Sequence, residues 1–239
     1  MDKVCLIHQH SGIGDIFWIQ KIVHHFHDLG YKVILPVLPQ ILWIKDYLIT
    51  PAEIVCVDDD FPKKEFYQGT KSIITDDFVY LPLGNLNGVC HDKIMNTKYI
   101  EVGLDWEDWL NYFDFKRDPV REKFLYHNVL GLEEDTRYVL RNRLHATPSI
   151  ENKTMIFDKI NLKSDLKIID MKIIKGLSLI DWYYVLENAE EIWTINTVIG
   201  FILEHINKHS SLNAKKLELW STRPYEETNY IWTLPWHRN

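Results

Sequence analysis

The chain has 239 residues, enough for one large domain or two small ones, and its 46% apolar and 26% charged residues describe a globular protein and exclude a disordered one. With 27 basic against 34 acidic residues the formal charge is -7, which argues against wrapping an extended nucleic acid but leaves room for a local basic pocket holding one nucleotide. Cys5, Cys56 and Cys90 are odd in number and lack CxxC spacing, which excludes a disulfide framework and a thiolate metal site.

Val4 to His8 reads as a short buried strand. The Gly-rich loop His10-Ser11-Gly12-Ile13-Gly14-Asp15 follows. Ile16, Ile19, Ile22, Val23 and Phe26 then recur at helical spacing up to a stop at Gly30, and Lys32 to Val37 is the next strand. Strand, Gly loop, helix and strand make a βαβ unit with the length of a right-handed crossover. Pro39 to Leu48 reads as helix or turns. Ala52 to Val57 is a third strand, ending at Asp58-Asp59-Asp60, and Ser72 to Leu83 holds two short strands around Asp76-Asp77. Asn85 to Asn96 is loop-like, and Tyr99 to Phe113, with Trp106 and Trp109, suits a short helix. Pro119 to Leu130 is a helix with Asp118 as N-cap and Pro119 at its first position.

A second block begins near Tyr138. Its strands are Arg137 to Arg141, Met155 to Phe157, Lys167 to Asp170, Glu191 to Ile195 and Leu217 to Trp220. One helix opens at Ser178 and runs through Glu187 with Asp181 in its first turn. Another, capped by Asn196 or Thr197, runs to about His209. The expected organisation is two α/β parallel-sheet domains, 1–135 and 136–223, with an aromatic tail, 224–239, packing back on the first. Within and beside that tail, Trp220, Arg223, Tyr225 and Trp232 either close a cleft or pack against it. The N-terminus lacks the apolar stretch of a signal peptide, and no run approaches the roughly 18 apolar residues of a membrane span, so a soluble cytoplasmic protein is expected.

Gly12 and Gly14 permit a tight turn and a close approach of backbone to ligand, and the following helix turns its positive end toward this loop. The motif is neither GxxxxGK[ST] nor GxGxxG, since no Lys follows Gly14 and Phe17 stands at the third glycine position. Asp15 would repel a pyrophosphate. It is either a favourable first-turn acid or a general base for an acceptor hydroxyl. Arg141 and Arg143 end a strand, where guanidinium forks meet phosphates. They are alternatively a solvated pair bridging Glu133 or Glu134. Lys175-Gly176-Leu177-Ser178 precedes a helix. Asn196-Thr197 joins a strand to a helix N-terminus, as an ordinary cap or as a group of phosphate donors. His24, His25 and His27 lack HExxH spacing and mark a helix surface, Asp58-Asp59-Asp60 reads as a solvated strand end in preference to a divalent-cation site, and no metal site is expected. A G-x-S-x-G elbow is missing.

Ser11-Gly12-Ile13-Gly14-Asp15-Ile16-Phe17-Trp18-Ile19-Gln20 resembles the opening of heptosyltransferase-like GT-B glycosyltransferases, in which a G-x-G-D loop leads into a helix. Leu186 to Thr197 is similar to the donor side of such enzymes, with Asn196 and Thr197 at the turn beside the diphosphate and Val198 where a glycine is usual. Lys98-Tyr99 through Trp109 and Arg117-Asp118 through Glu122 resemble small glycosyltransferase-like proteins of marine microbes and large-genome viruses. The resemblance implies a GT-B-like protein of two Rossmann-like domains, the second reduced, in the host cytoplasm if viral. It implies transfer of a sugar from a nucleotide-sugar to a glycan or other hydroxylated acceptor, metal-independent and inverting, with no cofactor. Asp15 would be the base, Gly12 and Gly14 the loop, and Arg141, Arg143, Lys175, Asn196 and Thr197 the donor's phosphate contacts. A homodimer is compatible with this reading. The alternatives are a non-catalytic nucleotide- or sugar-binding module and a structural interaction protein.

Overall fold

A computed structural model describes residues 3–84, 94–146, 154–156, 160, 164–210, 212–220 and 231–239, and among these described residues it has fourteen short strands and six α-helices. Cys90, most of the Asn85–Asn96 loop, Phe157, Arg223, Tyr225 and the first part of the tail lie outside the described residues. The described residues divide into two units, one up to Lys116 and one from Arg117 onward. The division falls earlier than 135/136, because the helix opened by Asp118 packs with the second block. Among the described tail residues, 231–239 also belong to the second unit rather than the first.

In the first unit β1 (Val4–Ile7), β2 (Lys32–Val37), β4 (Glu53–Cys56) and β6 (Phe78–Leu81) are parallel, with β5 (Ile73–Ile74) antiparallel at the edge, in the order β4-β2-β1-β6-β5. β1 and β6 are buried along their whole length, which is why they read as unbroken apolar runs. The helix after the Gly loop is nearly continuous, α1 (Ile13–Trp18) and α2 (Gln20–Asp28) meeting at Ile19. A small antiparallel pair, β3 (Leu48–Ile49) and β7 (Asp114–Phe115), closes one side.

Aromatics fill the first unit's core. Phe17 packs on Phe113 and Phe115 with ring centroids 4.7 and 5.0 Å away. Trp18 meets Tyr99, Trp106 and Trp109 and donates its Nε1–H to the Met95 carbonyl at 2.8 Å. Two expectations change here. Pro39–Asp46 is a 3-10 segment, and the helix expected over Tyr99–Phe113 lies earlier as α3 (Ile94–Ile100), leaving one 3-10 turn at Trp109–Tyr112. Gly103, with φ +70°, ends that helical run.

The second unit is a parallel sheet in the order β11-β8-β12-β13-β14, built from β8 (Tyr138–Asn142), β11 (Lys167–Asp170), β12 (Glu191–Ile195), β13 (Lys216–Trp220) and β14 (His237–Arg238). Each unit thus has a five-stranded main sheet, so the second is not reduced in strand number. A hairpin of β9 (Leu144–Ala146) and β10 (Thr154–Ile156) follows β8. Asp118 caps α4 (Pro119–Lys123), accepting from the Val120 and Arg121 amides at 3.1 Å each, and the helix then widens to a π-turn over Phe124–Val129. The unit is completed by α5 (Tyr183–Asn188) and α6 (Val198–His209).

The last residues are held to α6. Gly200 leaves room for Trp232, whose ring would come within 2.8 Å of a Cβ there. Glu204, fully buried, accepts the backbone amides of Thr233 and Leu234 at 2.9 and 3.0 Å.

Candidate functional site

In the first unit the Gly loop leaves the carboxyl end of β1, the strand beside which the sheet order reverses. Open α/β sheets bind ligands at such a switch point. Gly12 has φ +80°, and a Cβ on it would lie 2.3 Å from Asp15 Oδ2, so both backbone and space require glycine. Gly14 is helical within α1 and is not among the glycines with positive φ.

Asp15 is tied to Lys98 of α3, an ammonium that is only 2% exposed. Lys98 Nζ also donates to Gln9 Oε1 at 2.8 Å, and Gln9 Nε2 donates to the Ser11 carbonyl at 2.6 Å. One buried cation therefore fixes both ends of the loop. The sequence reading missed Lys98, which lies 83 residues from its partner.

Two imidazoles stand at the start of the same loop. His8 Nδ1 lies 3.0 Å from the Tyr80 hydroxyl, and His8 Nε2 lies 2.8 Å from His10 Nδ1. The His8 ring packs 4.2 Å from that of Tyr67. Burial, with His10 beside it, lowers the His8 pKa to about 4, and burial also lowers that of His10. Gly84, just past β6, fits against this turn, since a Cβ there would lie 3.1 Å from the His8 carbonyl oxygen.

In the second unit Arg141 makes a two-pronged pair with Asp170 at 2.7 Å for each contact, and Arg143 Nε approaches the same carboxylate at 3.4 Å. Neither Glu133 nor Glu134 is their partner in these pairs. The Arg141 hydrogen bonds hold the Asp170 carboxyl below the usual carboxylate range, and the same contact raises the Arg141 pKa. Asp170 escaped sequence reading because its role comes from register: it stands opposite Arg141 on the neighbouring strand.

A pocket of about 200 Å³ opens at the carboxyl ends of β8, β11 and β12, between Met171–Ile174, Leu177–Leu179 with Trp182, and the first residues of α6. Asn142 and Thr197 supply polar groups, and Ser178 a third. Asn142 donates to Thr194 Oγ1 at 3.0 Å and Thr197 Oγ1 at 3.2 Å, while Thr197 caps α6. Of the residues expected to face the donor, Thr197 lines this pocket. Arg141, Arg143 and Asn196 adjoin lining residues in sequence, and Lys175 is exposed on the turn with Gly176, between two lining segments. The structure thus brings β8, the 171–179 segment and the α6 N-terminus together.

The acidic run at the end of β4 behaves as a strand end, with Asp59 accepting the Cys56 amide at 3.1 Å. The expectation of no cofactor needs correction. His205 and His209, one turn apart on α6 with ring centroids 4.3 Å apart, belong to a group able to ligate a metal ion. The i,i+4 spacing of this pair is a local signal in the sequence, and the His24, His25 and His27 cluster has no such spacing. The Tyr183 hydroxyl lies 3.0 Å from His205 Nδ1 and orients that ring.

The chain is similar to a family 9 glycosyl transferase. The solved structure is that of a glycosyl transferase family 9 protein from Veillonella parvula, with a TM-score of 0.53 and 7% identity over 100% of this chain and 87% of that one. At that identity the likeness is one of fold, and it agrees with two parallel-sheet α/β units of the GT-B kind. No family model matches the chain. No curated protein matches it either. No helix among the described residues is long and apolar enough to cross a membrane.

Proposed function

We propose that the protein is a glycosyltransferase that takes a sugar from a nucleotide-sugar and passes it to a hydroxyl acceptor with inversion. The carrying observation is the pocket at the carboxyl edge of the second sheet, beside the capped N-terminus of α6. Its volume of about 200 Å³ is below the roughly 300–1,000 Å³ of whole-ligand sites, which suits a base and part of its ribose. The apolar walls from Met171, Ile174 and Trp182 cover a flat ring, and Asn142 and Ser178 offer polar groups. The diphosphate then lies toward Thr197 and Asn196 at the helix N-terminus, with Lys175, Arg141 and Arg143 offsetting its charge.

On the acceptor side, Asp15 takes the hydroxyl proton as the acceptor oxygen attacks the anomeric carbon and the C–O bond to the diphosphate breaks. Gly12 and Gly14 form the loop that carries Asp15, and Lys98 keeps the carboxylate in place. The likeness to a glycosyl transferase fold supports this reading.

Calorimetry with UDP, GDP, CDP and ADP, and with their sugar conjugates, tests it. One nucleotide should bind saturably to the wild type, more weakly to Thr197→Ala and Arg141→Ala, and unchanged to Asp15→Asn. Turnover of the conjugate should fall in Asp15→Asn. Absence of binding by all four would sink the donor site, and binding without turnover would leave a nucleotide-binding module.

A further inference from the structure

The hydrogen-bond chain behind the Gly loop has a direction. Tyr80 Oη lies 2.6 Å from the Gly69 carbonyl and 3.0 Å from that of Tyr67, and neither oxygen carries a hydrogen. The single phenolic proton must point there. His8 Nδ1, at 3.0 Å from the same oxygen, must therefore donate. A neutral His8 with its proton on Nδ1 has a bare Nε2. That nitrogen sits 2.8 Å from His10 Nδ1, so His10 must donate in turn. The chain ends on His10 Nε2, which carries a lone pair and has no partner among the described residues.

The nearby Tyr67 hydroxyl is also buried without a hydrogen-bond partner among the described residues, on a residue 8% exposed. Its ring lies 6.4 Å from that of His10. The His10 nitrogen, at the carboxyl edge of the sheet beside the switch point, is thus left for something outside the protein, whereas the Tyr67 hydroxyl is enclosed within the fold.

We propose that His10 presents Nε2 as a hydrogen-bond acceptor to a neutral, hydroxyl-bearing ligand at the carboxyl edge of the first unit's sheet. A bare nitrogen rewards a hydroxyl and repels a phosphate or carboxylate, so the site selects by hydroxyl rather than by charge. That this ligand is the sugar acceptor rests on the transferase reading; the polarity of the site does not. His10 is a positioning residue here, and His8 and Tyr80 set its tautomer.

Among the described residues, the titratable groups facing His10 are His8 from its own chain segment, Tyr67 just after the 3-10 turn Lys64–Phe66, and Tyr80 of β6 through His8. Asp15, which ends the same loop, is paired with the Lys98 ammonium of α3. Burial lowers the His10 pKa below its ordinary value, so Nε2 is bare at neutral pH. As pH falls through that lowered value the nitrogen gains a proton and a charge. The preference then reverses toward anions.

Long-range 1H–15N spectra of the histidine rings in the full chain at pH 7.5, assigned with His10→Gln, read the tautomers directly. Protons on Nδ1 of both His8 and His10 are expected. Glycerol and methyl glycosides should move the His10 Nε2 signal, and inorganic phosphate should not. Phosphate should move it once the ring is protonated. In Tyr80→Phe the tautomer preference should weaken.

A proton on Nε2 at pH 7.5, no response to any neutral polyol, or a response to phosphate alone overturns the proposal. In a transfer assay His10→Phe should raise the acceptor KM several-fold, up to about tenfold for one hydrogen bond, with kcat little changed. His10→Gln keeps an acceptor atom, so it should restore KM and lose the acid-side pH dependence. A fall in kcat alone would also overturn the proposal. If no nucleotide-sugar is turned over while the ring spectra behave as described, the transferase reading fails and the hydroxyl site stands.

Discussion

Gly12 is the residue on which the Gly loop depends most. Any side chain there meets two penalties, a positive φ of 80° and an Asp15 oxygen 2.3 Å from the new Cβ. Gly12→Ala should cost about 1–3 kcal/mol from the backbone alone. It should also push Asp15 off Lys98. Urea unfolding with the Asp15 and Lys98 variants in a double-mutant cycle checks this. A Gly12→Ala protein as stable as wild type would mean that the loop rearranges freely. Lys98→Met is a related test. Removing one partner of a fully buried pair costs about 3–5 kcal/mol, but the Asp15 side chain is 36% exposed, so solvent screening should bring the loss to about 1–3 kcal/mol.

Asp181 sets a pH dependence at the same scale. It is 1% exposed, and burial alone would raise its pKa. Arg121, with contacts of 2.8 and 2.9 Å, and the Ser178 amide and hydroxyl outweigh burial and lower it. A carboxyl depressed in the folded state stabilises it above the unfolded pKa, near 3.9. That stability is lost as pH falls through the lower folded value. Wild type should therefore lose stability on acidification through and below the ordinary carboxylate range. Asp181→Asn should be less stable at neutral pH and flatter over that window. Equal acid slopes in thermal melts of the two proteins would rule this contribution out.

Among the elements, α6 is where packing and propensity oppose each other. Gly in a helix costs about 1 kcal/mol against Ala, so Gly200→Ala should stabilise an isolated helix. Here the new Cβ would meet the Trp232 ring at 2.8 Å, and overpacking costs about 1–3 kcal/mol, so packing should win and Gly200→Ala should destabilise. A Trp232→Leu background should reverse the sign. Stabilisation by Gly200→Ala alone would show that Trp232 yields easily.

The strands were legible in sequence because doubly covered parallel strands must be continuous apolar runs, as in Val4–Ile7 and in Lys32–Val37 after its exposed first residue. The cap at Asp118-Pro119 was legible for an equally local reason. The site partners were not. Lys98 on Asp15 and Asp170 on Arg141 depend on which distant segments the sheet brings together, and local spacing carries no record of that. The Asn142–Thr197 contact is of the same kind, 55 residues apart, and it decides which strand end lines the pocket.

For the whole molecule, two units with separate sheets make the transferase reading directional. A nucleotide should protect one unit and not the other. A ligand at about 100 times its Kd stabilises the state it binds by about 2.7 kcal/mol, which slows exchange of amides released only by that unit's unfolding by about a hundredfold. Hydrogen exchange with saturating nucleoside diphosphate should therefore show this slowing in β8, β11 and β12, around the pocket at their carboxyl ends. The amides of β1 and β2 should keep their rates. A neutral polyol bound at His10 should give the opposite map, slowing the loop after β1. Protection of β1 by nucleotide, with β8 and β12 unchanged, would move the nucleotide to the Gly loop and leave the second pocket to another ligand. The two ligands thus assign the two sheet edges independently, and neither result depends on catalysis being observed.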